Sequence, residues 1–246
     1  MRISGLDLDT RDMNGAGQSL ADGIVDIVDA RTLTPAAAPS DLAAYLKPEP
    51  LIESDDAAIR GAAESLVAGA TGARARAEKL TRGVNGMLDK KPTVSLPSAR
   101  DVLRTKVGDC NEHTALYVAM ARSIGLPARI AVGLAYTHGA FYYHAWPEVY
   151  LDEGGGRGLW LPVDPTFNEF PADAAHLRLL RGGLDRQAAI LPLIGQVKMD
   201  ILDLELAPNS TPILVGRDFQ APGSLPPPIP LRAGLTCWTT TSSRTR

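Results

Sequence analysis

Cys110 is the residue of this chain with the clearest capacity for covalent chemistry. It stands in residues 108–113, GDCNEH, directly before an amphipathic stretch that predicts a helix. A helix N-terminus lowers the pKa of a thiol, because its unpaired backbone N–H groups and its dipole favour the thiolate. The same N–H groups could hold an oxyanion. This position favours a nucleophile over the simpler interpretation, a buried structural cysteine.

His144 and Asp164 could complete such a site. His144 lies in an alternating run that predicts a strand, and Asp164 follows the next predicted strand, just before Pro165. Adjacent antiparallel strands can bring an aspartate beside a histidine, where it fixes the tautomer and stabilises the imidazolium. Taken singly, His144 reads as a core histidine and Asp164 as a turn residue. Together with Cys110, in this order, they predict a Cys–His–Asp triad for acyl chemistry.

The surrounding pattern predicts helices followed by an antiparallel sheet, an α+β fold. The first helical region, residues 55–88, carries Ser54 or Asp55 as a cap and a break at Thr71-Gly72. Asp109 and Glu112 have capping-box spacing at the start of the main helix. The other predicted elements are a strand-like run at 23–30, a helix at 99–105 capped by Ser98, the main helix at 109–124, strands at 129–136, 141–151 and 158–163, a helix at 173–180 and one strand within 196–206.

Three segments are predicted along the chain. Residues 1–50 form an N-terminal flank and linker, the end of an upstream β domain, and residues 51–185 form the catalytic domain. Residues 186–246 form an extension with one possible strand and then a disordered Pro/Thr/Ser-rich tail. Cys237 lies in this tail and receives no role. Both ends look cut, so we expect a piece of a longer protein.

Composition excludes several classes of protein. The 246 residues carry a net charge of -3 without a Lys/Arg block, which favours neither nucleic acid nor an anionic membrane as partner. No apolar run is long enough for a transmembrane helix, and the first 17 residues lack the apolar core of a signal peptide. Cys110 and His113 are spaced as a metal pair, but no second pair accompanies them, so neither a metal nor a cofactor is predicted. The compartment, cytoplasmic or periplasmic, and the oligomeric state stay open.

Four segments of the chain carry a family resemblance: GDC at 108–110, ARSIGLPAR at 121–129, HAWPEVY at 144–150 and WLPVDPT at 160–166. They closely resemble the transglutaminase-like core superfamily, in its bacterial form. The resemblance covers roughly residues 55–170 and implies a papain-like α+β fold, in which a nucleophile-bearing helix packs on an antiparallel sheet. It also implies Cys110 as nucleophile, His144 as general acid and base, and Asp164 as the residue that orients His144. Trp146 resembles the aromatic residue that often follows the histidine in that family.

The expected activity is acyl transfer from a carboxamide or peptide bond through a thioester, with hydrolysis favoured over cross-linking. The expected substrate is a protein or peptide, and Asn111 and Trp146 are expected at the substrate or oxyanion site. The alternative is a non-catalytic transglutaminase-like module that serves binding or assembly in a larger bacterial protein.

Overall fold

The middle of the molecule is a central helix that packs between other helices and an antiparallel sheet. The computed structural model describes residues 1–5, 7–8, 11–92, 98–183 and 197–204. The α+β class is therefore confirmed. The helices are α1 (Ala57–Val67), α2 (Gly72–Met87), α3 (Ala99–Thr105) and α4 (Cys110–Ser123), with short 3₁₀ turns at Ala30–Thr32 and Leu42–Leu46. The strands are β1 (Arg2–Ser4), β2 (Gln18–Ala21), β3 (Ile24–Ile27), β4 (Ala36–Ala37), β5 (Asp89–Lys90), β6 (Val107–Gly108), β7 (Ala128–Thr137), β8 (Ala140–Gly154), β9 (Arg157–Pro162), β10 (His176–Arg181) and β11 (Lys198–Asp200).

Helix α4 is the core element that carries Cys110. Its start has the predicted capping box, since the Asp109 carboxylate accepts from Asn111 N at 3.2 Å and the Glu112 carboxylate accepts from Asp109 N at 3.1 Å. Every residue of α4 except Asn111 is buried, because α1, α2 and α3 cover it on the sides that do not face β7 and β8. The site therefore rests on a helix that is held from all sides.

The other helix boundaries mostly follow the predictions. The break at Thr71-Gly72 is confirmed, because α2 begins at Gly72, and α3 begins after Ser98. The cap predicted for α1 is wrong. Asp56, rather than Ser54 or Asp55, accepts from the backbone N–H groups of residues 58 and 59 at 2.8 and 3.2 Å. Only a side chain directly before the first helical residue reaches these two donors.

The main sheet has the strand order β10-β7-β8-β9-β4, and all its pairings are antiparallel. The predicted meander of three strands is confirmed in β7, β8 and β9. The helix predicted over residues 173–180 is wrong, because residues 176–181 form β10 and pair with β7. Polar and apolar residues alternate only from His176 to Leu179, because Leu180 breaks the period of two, so the short pattern did not distinguish this strand from a helix.

A second sheet, β11-β1-β3-β2, contains the strand predicted at 23–30 and the one predicted within 196–206. It is joined to the main sheet through Gln18, whose side chain donates to Arg178 O at 2.9 Å and accepts from Arg178 N at 2.8 Å. The tail with Cys237 lies outside the described residues. Among the helices of the described residues, none combines the length and the apolarity that a membrane crossing needs.

Candidate active site

Cys110 is the first residue of α4, behind the Asp109 cap, and its side chain is buried. Gly108 allows this arrangement, because a Cβ atom there would meet the Glu112 side chain at 2.2 Å, where that side chain folds back onto the cap.

Two hydrogen bonds hold the start of α4 against the strand that carries His144. The Tyr143 hydroxyl donates to Asn111 Oδ1 at 3.2 Å, and the Thr114 hydroxyl donates to Ala145 O at 3.0 Å. Asn111 follows Cys110 directly, and Thr114 lies one turn later on α4. Tyr143 and Ala145 are the two neighbours of His144, so the bonded pairs bring the first turn of α4 to the His144 segment of β8.

Asp164 binds His144, as the sequence predicts. His144 Nε2 lies 2.7 Å from Asp164 Oδ2, and both side chains are buried. The other carboxylate oxygen, Oδ1, accepts from the backbone N–H groups of Thr166 at 2.6 Å and Phe167 at 3.1 Å. Since Asp164 engages Nε2, the nitrogen of His144 that acid–base chemistry would use is Nδ1.

His176 was not predicted as a site residue, yet it also contacts Asp164. Its Nε2 lies 3.1 Å from the same Oδ2 that binds His144, and its Nδ1 lies 3.0 Å from Asp173 Oδ1. The sequence signal was present, because polar His176 and Arg178 alternate with Leu177 and Leu179. This alternation was not recognised as a strand, because a helix was predicted over residues 173–180.

The loop after β9 is fixed by its own backbone and by α2. Asp164 and Glu169 form a bridge with N–H···O distances of 2.9 and 2.8 Å. The Asn85 amide donates to the carbonyl oxygens of Pro165 at 2.7 Å and Thr166 at 3.1 Å. Asn85 is therefore a second residue that sequence reasoning missed, and its effect is to hold the segment that presents Asp164.

Two aromatic rings lie parallel to the His144 imidazole. The Phe167 ring is 4.6 Å away at an interplanar angle of 2°, and the Trp146 ring is 6.0 Å away at 18°. Trp146 also meets the His176 ring edge-on at 5.2 Å. Trp146 is buried, so in this structure it packs against both histidines. The backbone N–H of Asn111, the other predicted substrate or oxyanion residue, is used by the Asp109 cap.

The electrostatics of the site follow from burial and pairing. Burial alone would raise the pKa of Asp164, but the charges and hydrogen bonds of His144 and His176 outweigh it and hold this pKa well below its usual range. Burial would lower the pKa of His176, but the hydrogen bonds to Asp164 and Asp173 raise it to about 10. Asp164 is therefore anionic and His176 cationic at neutral pH.

Two neighbouring groups have shifted pKa values of a different origin. Burial lowers the pKa of His113 to about 4, so this histidine is neutral at pH 7. Its Nδ1 lies 2.6 Å from Asp109 O, which adds to the fixation of the α4 start. Burial also raises the pKa of Glu169 to about 7, so this carboxyl is partly protonated at neutral pH.

Within the described residues, two clusters bring ligand atoms within 4.8 Å of one another: His144, Asp164 and His176, and Glu169, Asp173 and His176. In both clusters, imidazole nitrogens are already paired with carboxylate oxygens. We interpret them as hydrogen-bonded groups. A cavity of about 210 Å³ lies beside the second cluster, lined by Tyr136, Thr137, Phe167, Glu169, Asp173 and His176.

The family model of the transglutaminase-like superfamily matches residues 60–165, which include Cys110, His144 and Asp164. Over these residues the chain is similar to the transglutaminase-like core. Among solved structures, a candidate cysteine protease from Cytophaga hutchinsonii is 21% identical to this chain, at a TM-score of 0.51. The match covers 64% of this chain and 55% of that one, and it supports the fold.

Two further solved structures are less similar to this chain. The periplasmic domain of TgpA from Pseudomonas aeruginosa is 22% identical, with a TM-score of 0.42 over 54% of this chain and 49% of that one. Red sea bream transglutaminase is 14% identical, with a TM-score of 0.38 over 50% of this chain and 29% of that one. The chain thus spans about half the length of the first two structures. No curated protein sequence matches the chain significantly.

Proposed function

We propose that the chain is a cysteine-dependent acyl-transfer enzyme in which Cys110 is the nucleophile, His144 the general acid and base, and Asp164 the residue that orients His144. The observation that carries the proposal is the buried 2.7 Å contact between His144 Nε2 and Asp164, on a strand bonded to the first turn of the Cys110 helix. A histidine held in this way presents Nδ1 for proton transfer, which is the requirement of cysteine acyl chemistry.

The Cys110 thiolate attacks the carbonyl carbon of an amide, and the imidazolium of His144 gives its proton to the departing amine or ammonia as the C–N bond breaks. A thioester on Cys110 results. Water then attacks the thioester and loses a proton to His144. The C–S bond breaks, and the acid leaves as the thiolate and the imidazolium are regenerated. Hydrolysis of a protein or peptide amide is the form that we propose, because transamidation needs a site that admits an amine and excludes water.

One observation favours the second candidate, a non-catalytic binding or assembly module. Cys110, His144 and Asp164 are each at most 1% exposed, whereas a nucleophile must be reached by its substrate. In the non-catalytic case, the His144–Asp164 pair would serve stability alone.

Thiol reactivity separates the two candidates. We would measure alkylation of Cys110 by iodoacetamide from pH 5 to 9 after reduction, in a Cys237→Ser background with and without His144→Ala. An enzyme is expected to react well below pH 8 and to lose this reactivity with His144, because the imidazolium favours the thiolate. Identical slow profiles for both proteins would support the non-catalytic module.

The acyl acceptor is tested on the same reduced protein with glutamine-containing and ordinary peptides, with and without an added primary amine. Hydrolysis is expected to release ammonia or a new peptide end without incorporating the amine. Amine incorporation that dominates at millimolar amine would contradict the hydrolytic assignment. A Cys110→Ala protein controls for contaminating activity.

A further inference from the structure

His176 has a carboxylate on each of its two ring nitrogens. Nε2 lies 3.1 Å from Asp164 Oδ2, and Nδ1 lies 3.0 Å from Asp173 Oδ1. A neutral imidazole carries only one N–H. In either neutral tautomer, a bare nitrogen of His176 would therefore face a carboxylate oxygen, and two lone pairs would repel each other in a buried site. The geometry requires a proton on both nitrogens.

Asp164 is consequently shared between two imidazoles. One oxygen accepts from both His144 and His176, and the other accepts from two backbone N–H groups. The rings of His144 and His176 are 5.5 Å apart. A fixed positive charge at this distance partly cancels the field that the aspartate exerts on His144.

We propose that His176 is a positioning residue of the catalytic site, which holds Asp164 in place and offsets its negative charge by a permanent positive one. The proposal rests on the function proposed above. A lone aspartate would stabilise the imidazolium of His144 so strongly that release of its proton to the leaving amine would be disfavoured. The charge of His176 reduces this stabilisation, and the two hydrogen bonds to Oδ2 keep the carboxylate oriented.

The charges around His176 support this role. Asp164, Asp173, Glu169 and His144 face it from the adjoining segments, whereas Arg178 on its own strand is paired with Glu148 at 2.8 Å. Burial opposes the charge of His176, but the two carboxylates raise its pKa to about 10. The Asp173 side chain is 60% exposed, so a substitution there can alter His176 without disturbing the core.

The protonation of His176 can be tested without any activity. In Cys110→Ala protein with ¹⁵N-labelled histidine, the chain's four histidines are assigned by single substitutions. We expect the two ring nitrogens of His176 to keep imidazolium shifts from pH 5 to 9. A neutral tautomer at pH 7 would overturn the proposal, whether or not the chain is an enzyme.

The effect on His144 is tested by the pH dependence of kcat/KM and of Cys110 alkylation. The limb of interest is the fall of kcat/KM at high pH. In His176→Gln the midpoint of this limb is expected to move up by about one pH unit, because the uncompensated Asp164 then stabilises the imidazolium of His144. Asp173→Asn should give a smaller shift in the same direction, and it decides the matter if His176→Gln does not fold. Asp101→Asn, an exposed carboxylate on α3, is the control and should not shift the limb.

Two results would reject the assignment. A fall in rate that is equal at all pH values, with an unmoved limb, would mean that His176 is only a packing residue. Loss of activity on treatment with EDTA, restored by a divalent metal ion, would mean that His176 is a metal ligand instead.

Discussion

Asp164 is the residue on which most of the site depends, since each of its oxygens accepts two hydrogen bonds. Four donors satisfy a carboxylate fully, and an amide in its place could accept at only one end. The sequence suggested the partnership with His144, but it did not reveal how completely the carboxylate is engaged. This saturation explains why a buried carboxylate stays ionised.

Asp164→Asn is expected to impair both catalysis and stability. The NH₂ group of the asparagine would face two hydrogen-bond donors in place of an acceptor. The donors left unpaired in the buried site should cost about 1–3 kcal/mol of unfolding free energy. Turnover should fall by up to about 10⁴, as in the serine triad, because the tautomer of His144 is no longer fixed. Denaturant unfolding and kcat are measured on the same protein. An intact turnover rate in a folded variant would remove Asp164 from the mechanism.

His176 gives the protein a defined dependence of stability on pH. Its pKa of about 10 in the folded chain exceeds the ordinary value of 6.5. The contribution of its charge is therefore complete below about pH 6.5, declines as the pH rises and is lost above about 10. His176→Gln removes this contribution. The difference in unfolding free energy between wild type and variant should thus be larger at pH 6 than at pH 10, and a constant difference would contradict the charged state.

At the scale of elements, the sequence predicted those parts in which local signals agree with the tertiary structure. The capping box at Asp109 and the alternation in β7 and β8 depend only on residues close together in the sequence, and both predictions are confirmed. The helix prediction for residues 173–180 failed because β10 is buried on both faces. The strand also contains a register shift between Arg178 and Leu180, so the period of two is interrupted. His176 was missed for the same reason, since its role exists only once β10 pairs with β7.

Gly133 on β7 allows the pairing of β7 with β10 to be tested. A Cβ atom there would meet Leu177 O at 2.0 Å, and backbone atoms cannot yield as a side chain does. Gly133→Ala should push β10 away from β7, cost about 1–3 kcal/mol of unfolding free energy and disturb the ring signals of His176.

Gly61→Ala on α1 is the matched control for Gly133→Ala, because a Cβ atom there meets nothing within 4 Å. Alanine in a helix interior should be neutral, or stabilising by about 0.5–1 kcal/mol. If both variants had the same stability in urea, the close approach of β10 to β7 would not be a feature of the molecule in solution.

At the scale of the whole molecule, one buried carboxylate joins three strands. Glu148 on β8 lies 2.8 Å from Arg178 and Arg181 of β10 and 2.7 Å from Arg129 of β7. Arg181 also binds Asp12 at 2.6 Å, which links the N-terminal segment to the same group. We propose that this segment stabilises the transglutaminase-like core, whatever else the N-terminal flank does.

Glu148→Gln should test how far the molecule depends on that cluster. Burial would raise the pKa of Glu148, but Arg181, Arg178 and Arg129 lower it to about 2, so the carboxylate is ionised at neutral pH.

Replacing Glu148 leaves buried arginines without a counter-charge, and we expect a loss of about 3–5 kcal/mol in unfolding free energy at pH 7. The loss should shrink as the pH falls from 4.5 towards 2, since the wild-type contribution then disappears as well. Glu78→Gln removes an exposed ion pair with Arg82 and should cost at most about 0.5 kcal/mol. A cost for Glu148→Gln as small as that of this control would mean that the arginines find other partners, and that the strands are held by packing and backbone hydrogen bonds alone.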